Sequence, residues 1–224
     1  VEGIERYRIS SIEPNLLTEE MIDWITTGTK FLPHYHIPLQ SGCDTILREM
    51  GRRYDTAAFA RKIQYIREKT EVPGGPKVFF GIDVIVGFPG ETEEDFEELM
   101  DFVRTTRFDR MGAFAYSEEE GTYAAEHYED DIPEEVKQNR LDRLMELQER
   151  ISAELCAEKI GQECRVIIDR QEGDYYIGRT EHDSPEVDCE VLIPAGTPMT
   201  SGSFHQVRIT GADEYDLYAE VINA

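Results

Sequence analysis

Residues 78–87 read VFFGIDVIVG, an apolar run broken only by glycine and one aspartate, and FPGETEEDFEELMDFV follows directly. A strand with one wet face alternates in polarity. A near-continuous apolar run ending in glycine instead predicts a strand covered on both faces. Gly87-Phe88-Pro89-Gly90 then predicts a tight turn. Residues 91–106 place Phe96, Leu99, Met100 and Val103 at i, i+3, i+4 and i+7, one face of a helix. Thr92 and Asp95 form a capping-box pair at its start. A buried strand that turns at once into an amphipathic helix is a βα unit, and such units build a parallel sheet.

The flanking sequence repeats the pattern. Strands are predicted over 7–12 (YRISSI), 35–40 (YHIPLQ, weakened by Pro38) and 110–117 (RMGAFAYS). Helices are predicted over 18–28, 44–50 and 55–69. The first has Thr18 as N-cap, Glu20 and Asp23 in its early turns and Gly28 at its end. Residues 1–116 therefore form an α/β domain with four strands, too few to close an eight-stranded barrel. Residues 117–160 are an acidic, turn-rich connector and one long amphipathic helix, with Leu141, Leu144, Ile151 and Leu155 as its stripe and Lys159 and Gly161 at its close. Residues 161–224 hold five short β patterns, with turns at Glu172-Gly173-Asp174 and Gly211-Ala212-Asp213. Five strands in so short a stretch predict a small OB-like β-barrel.

Charge narrows the partners. The formal charge is −24, of which 117–160 and 161–224 each carry −9. Such a surface repels nucleic acid and attracts a basic protein; the plainer reading is solubility alone. No run approaches the roughly 18 apolar residues of a membrane span, and the amino terminus lacks the pattern of a signal peptide. The four cysteines, at 43, 156, 164 and 189, form no CxxC and no zinc pattern. A reducing, cytoplasmic setting is expected. The chain starts without methionine, and a segment upstream of Val1 is expected.

In parallel α/β folds ligands bind at the carboxyl ends of the strands. Ser10, Ser11 and Glu13 lie at one such end, Gln40, Ser41 and Asp44 at another, and Gly87 to Glu91 at a third. Asp44 reads more readily as a helix cap. Asp83 sits inside an apolar strand, where an acid needs a partner. Arg48, Arg52 and Arg53 could hold a carboxylate through paired hydrogen bonds, or could be solvated surface charge. Cys43 lies where a strand hands over to a helix, a place where a thiol can be reactive.

Three stretches, RISSIEPNLL, HIPLQSGCDTILREMGRRYD and GIDVIVGFPGETEEDFEE, resemble the radical S-adenosylmethionine methylthiotransferases. The resemblance continues through AFAYSEEEGTYAAEHYEDDIPEEVKQNRLDRLMELQERISAEL and EGDYYIGRTEHDSPEVD. It implies a partial radical-SAM, TIM-like barrel over 1–116, a connector and helix over 117–160, and a terminal TRAM domain over 161–224. Residues 6–87 look most like the branch that modifies threonylcarbamoyladenosine in tRNA. Residues 88–224 look most like the RimO-like branch, which inserts a methylthio group into an aspartate of the basic small-subunit ribosomal protein S-twelve. The acidic terminal domain favours the ribosomal protein over tRNA. A docking piece with no catalysis is the remaining reading.

The resemblance implies S-adenosylmethionine and two 4Fe–4S clusters as cofactors of the intact protein. One cluster cleaves S-adenosylmethionine to a deoxyadenosyl radical; the other holds the transferred sulfur. The CxxxCxxC motif and the second cysteine triad of the family are absent here, so no metal ligand and no catalytic residue is assigned, and the isolated chain is expected to be inactive. Carried over by position, Ser11, Glu13, Gln40 and Ser41 line the S-adenosylmethionine cleft. Arg52 or Arg53 takes the methionyl carboxylate. Asp83, Gly87 and the loop to Glu91 flank the adenosine. The family commonly has serine at the position of Cys43, which implies a small residue there and no cluster ligand.

Overall fold

The computed structural model describes residues 2–71, 77–185, 188–196 and 198–222; Glu186 and Val187 of the SPEVD stretch and the ends at Val1 and Asn223–Ala224 lie outside them. The apolar run forms β2 (Phe79–Val86), the centre of a parallel sheet between β1 (His34–His36) and β3 (Arg110–Ala115). Phe80, Ile82, Val84 and Val86 point to a helical layer. That layer holds α1 (Glu19–Ile25), α3 (Thr56–Thr70), α4 (Glu93–Thr106) and α6 (Glu134–Ala157). Phe96, Leu99 and Val103 of α4 are fully buried there. Each such side chain contributes about 1.5–3 kcal/mol. The capping box of Thr92 and Asp95 is formed, and Thr18 caps α1.

Several expectations change. The strand expected to be covered on both faces is so only in its first half, because Asp83 and Ile85 are half-buried on the side away from the helices. The segment 7–12 is no continuous strand. It touches the sheet through parallel bridges of Tyr7 to Phe31 and Ser11 to His36. The strand expected over 35–40 stops at His36. Pro38 has no N–H to donate, and pairing resumes only at Gln40, opposite Val84. Short α2 (Asp44–Glu49) follows. In the connector, Tyr123–His127 forms α5, and α6 ends before Lys159.

The last part is a closed five-stranded barrel in the order β4 (Glu163–Glu172), β5 (Tyr175–Arg179), β6 (Val191–Pro194), β8 (Leu217–Val221), β7 (Phe204–Ala212). The turn at Gly173 is present, with φ +56°. Gly211 and Ala212 belong to β7 instead of a turn, because a bulge between Ile209 and Gly211 carries the pairing with β8 further. The barrel packs under the amino ends of the parallel strands. His34 and His182 stack on the ring of Phe79 at 4.8 and 6.4 Å. Arg110 reaches Ser152, Cys189 and the carbonyl of Tyr215. This leaves the carboxyl ends of the sheet free of the barrel. No helix among the described residues is long and apolar enough to cross a membrane.

Candidate functional site

At the carboxyl ends of β1 and β2, the non-helical face presents His36 and Asp83, with His36 Nε2 2.8 Å from Asp83 Oδ2. The acid inside the apolar strand thus finds its partner on the neighbouring strand. Opposite Asp83 stands Gly112, where a Cβ would lie 2.7 Å from Asp83 Oδ1; only glycine leaves the carboxylate its place. Phe114 on the same strand is 57% exposed. Ser11 flanks His36 by backbone pairing, and Ile12 N donates to the His36 carbonyl at 3.1 Å.

Glu13 and Arg52 meet at the same rim, with Arg52 Nη1 donating to Glu13 Oε1 at 2.9 Å. Among the described residues, the buried Nε of Arg52 has no hydrogen-bond partner. Arg53 lines a shallow groove beside it with Arg48 and Asp44. The carboxylate of Asp44 accepts from Thr56 N at 2.8 Å, so it anchors the start of α3 and leaves the cap position of α2 to Cys43.

Gln40 carries the most unusual backbone of the site, with φ +69° in a non-glycine residue. Its N–H donates to the Asp83 carbonyl at 2.8 Å and its carbonyl accepts from Ile85 N at 2.9 Å. Such a conformation costs about 1–3 kcal/mol and persists where the surroundings enforce it, often at functional sites. Ser41 is buried, and its hydroxyl accepts from Cys43 N at 3.2 Å, so it shapes the turn into α2. Cys43 is buried as well, and burial pushes its thiol up to about 12. A helix N-terminus does not make it nucleophilic here.

The glycine-rich loop after β2 is clamped from α6. Glu91 is 5% exposed; its Oε1 accepts from Gly87 N and from Arg140 Nη1, both at 2.8 Å. Glu91 therefore faces the protein interior and braces the loop from beneath. Burial raises its pKa against the pull of Gly87 N–H and Arg140. Lys137, one helical turn away, donates to Asp130 at 2.6 Å and to the Tyr116 carbonyl at 3.2 Å. Its stem crosses Gly87, whose φ is +72°. Two buried cations of one helix thus fix the loops after β2 and after β3.

The structure gathers Ser11, Glu13, Gln40, Arg52 and Asp83 on one rim, with Arg53 and Gly87 beside it. Ser41 and Glu91 support that rim from inside. Sequence reasoning missed His36, Lys137 and Arg140. The available signal was basic residues at inward positions of the long helix, three apart. Among the described residues no group of three or more His, Cys, Asp or Glu could hold a metal ion. The cysteines do not suit an iron–sulfur cluster: Cys43 stands alone against Asp95, while Cys156 and Cys189 lie in the barrel core.

Comparison with known proteins agrees with this layout. Residues 2–103 match the radical SAM superfamily and residues 160–222 match the TRAM domain. The chain is 51% identical over 224 residues to the ribosomal protein uS12 methylthiotransferase RimO of Bacteroides thetaiotaomicron, covering 100% of this chain and 50% of that protein. It is 50% identical over 223 residues to the protein of the same name from Phocaeicola vulgatus, covering 99% and 50%. The chain thus spans about half the length of the curated relatives it matches. Among solved structures, coproporphyrinogen III oxidase (HemN) from Escherichia coli, a radical SAM enzyme, aligns with a TM-score of 0.54 at 15% identity, covering 79% of this chain and 46% of that one. At that identity the likeness is one of fold.

Proposed function

We propose that this chain, which matches the radical SAM superfamily over 2–103 and the TRAM domain over 160–222, serves a RimO-type methylthiotransferase that modifies an aspartate of ribosomal protein uS12. The observation that carries the reading is the rim itself: Glu13–Arg52, Gln40 and His36–Asp83 converge at the strand ends above the loop at Gly87. In this reading residues 1–116 hold part of the cofactor cleft, 117–160 connect, and 161–224 dock the substrate protein in the cytoplasm. The names of the relatives support the substrate class, and the charge of −24 supports a basic protein over tRNA.

S-adenosylmethionine suits the rim. Arg52 keeps a buried N–H that has no partner among the described residues and can take a carboxylate, and Gly112 leaves the Asp83 carboxylate its place on that face. Arg52 or Arg53 would hold the methionyl carboxylate, Gln40 and Ser11 the adjoining cleft, and Asp83 and Gly87 the adenosine side. Bound there, the cofactor supplies radical chemistry for breaking a substrate C–H bond. The chain's own part is to orient it: His36 and Ser11 hold the sheet edge, and Glu13 fixes the guanidinium of Arg52. The two iron–sulfur clusters of the intact enzyme each need a set of thiolates, whereas the cysteines here bring together only the pair Cys156 and Cys189 in the barrel core, and no step is assigned to them.

Two measurements test the reading. In the intact protein, Arg52→Ala should weaken S-adenosylmethionine binding by roughly tenfold or more, as expected for loss of a charge-assisted contact. Gln40→Ala should weaken it less; unchanged calorimetric affinity in both variants would refute the assignment. The purified chain should bind uS12 more tightly at low than at high salt and retain little tRNA. The reverse preference would move the assignment to the tRNA branch.

A further inference from the structure

Where α6 reaches the barrel, two thiols from distant parts of the chain face each other. Cys156 lies in the last turn of α6 and Cys189 just before β6, with their Sγ atoms 3.8 Å apart. Both are 1% exposed. Leu144, Leu147 and Ile151 of α6 bury themselves among the sheet and its helices, whereas Cys156 enters the core of the barrel. The pair therefore spans the joint between the two halves of the fold.

The surroundings are cationic. The guanidinium of Arg110, from the first residue of β3, donates to Cys189 Sγ, and Lys159 follows Cys156 by three residues. Neighbouring cations favour a thiolate. The hydrogen bond between the two thiols lowers the Cys156 thiol to about 6, with Lys159 and Arg110 adding to it against burial. The other two barrel cysteines behave oppositely: the bond to Cys156 and burial hold the Cys189 thiol up, and burial pushes Cys164 up to about 11. Cys189 also lines a cavity of about 200 Å³ on the barrel surface, between Arg179, Ser184 and Glu190, which gives a small reagent a way in.

We propose that Cys156 and Cys189 are a redox-active dithiol, a modification site that takes a low-molecular-weight disulfide as oxidant and staples α6 to the barrel. The Cys156 thiolate attacks one sulfur of the oxidant; the oxidant's S–S bond breaks, and one thiolate leaves and takes up a proton, the equivalent of the one Cys156 gave to solvent. Cys189 then gives up its proton and attacks the Cys156 sulfur, and the second thiolate leaves and takes up that proton. Two protein thiols lose two electrons, and one oxidant disulfide is reduced to two thiols. The sulfurs need to close by only about 1.8 Å to reach bonding distance. The bond would enclose β4 and β5, since the cysteines are 33 residues apart. Closing a loop of that length should raise the thermal midpoint of the whole chain by about 10 °C.

The test treats the whole folded chain with oxidised glutathione, alkylates the remaining thiols and maps them by mass spectrometry. A peptide linking Cys156 to Cys189, with Cys43 and Cys164 alkylated, is expected, together with a raised midpoint that dithiothreitol reverses. Cys189→Ser should lose both effects. The wild-type thiol map stands without any variant. Alkylation of both cysteines, a lasting glutathione adduct on either, or a link from Cys156 to Cys164 would overturn the proposal.

Discussion

Replacing Arg140 by methionine is expected to cost about 3–5 kcal/mol of stability at neutral pH, the usual penalty for breaking a buried ion pair from one side. The side chains of Arg140 and Glu91 are 6% and 1% exposed, so the loss is not softened by solvent. Arg140 Nη1 also donates to the Glu91 carbonyl at 3.1 Å. Without the guanidinium, the Glu91 carboxylate keeps Gly87 N–H as its hydrogen-bond donor and carries a buried charge. Burial already raises the folded-state pKa of Glu91 above the unfolded value. A carboxyl shifted in that direction stabilises the fold while protonated and loses that contribution as pH rises through the window between the two values. Loss of Arg140 widens the window. The deficit of the variant should therefore be largest at pH 7 and shrink as the pH falls toward 4.5, the ordinary value for this carboxyl. Urea unfolding at several pH values measures it. Adding Glu91→Gln should restore part of the loss, because an amide needs no countercharge. A small deficit that does not change with pH would mean the pair contributes little.

Gly87→Ala is expected to destabilise by about 2–4 kcal/mol through two separate costs. At φ +72° an L-residue pays about 1–2 kcal/mol in left-handed backbone. The added Cβ would also lie 2.4 Å from Lys137 Cγ, near the root of a buried side chain and not at its free end. Lys137 would have to withdraw from Asp130 and the Tyr116 carbonyl, loosening the loop after β3 as well. Denaturant unfolding gives the total, and hydrogen exchange at Gly87 N–H shows whether its bond to Glu91 is lost. Wild-type protection in the variant would show that the loop absorbs the methyl group without strain.

Both predictions concern contacts that local sequence does not announce. The helices around Phe59, Phe96 and Leu144 were legible because each carries its own period and, in two cases, its own cap. The barrel strands were legible because glycine and polar turns separate short apolar runs. The strand over 7–12 was not, because its apolar pattern says nothing about whether a neighbour accepts a full ladder. The bulge near Gly211 was hidden for a similar reason, since glycine marks turns and bulges alike. At the rim, the glycine loop and Gln40 stood out in the sequence, while His36 did not. Its importance comes from Asp83, 47 residues away on the adjacent strand.

The sequence by itself determined a parallel βα layer, a long acidic helix, a small barrel and the rim where ligands belong, because period, caps and turn residues act within a few positions of one another. Only the tertiary structure decided that Lys137 and Arg140 point inward, that Glu91 faces beneath its loop, that His36 meets Asp83, and that Cys156 meets Cys189. Those outcomes depend on desolvation, which is fixed by what packs across the gap and not by the neighbours along the chain.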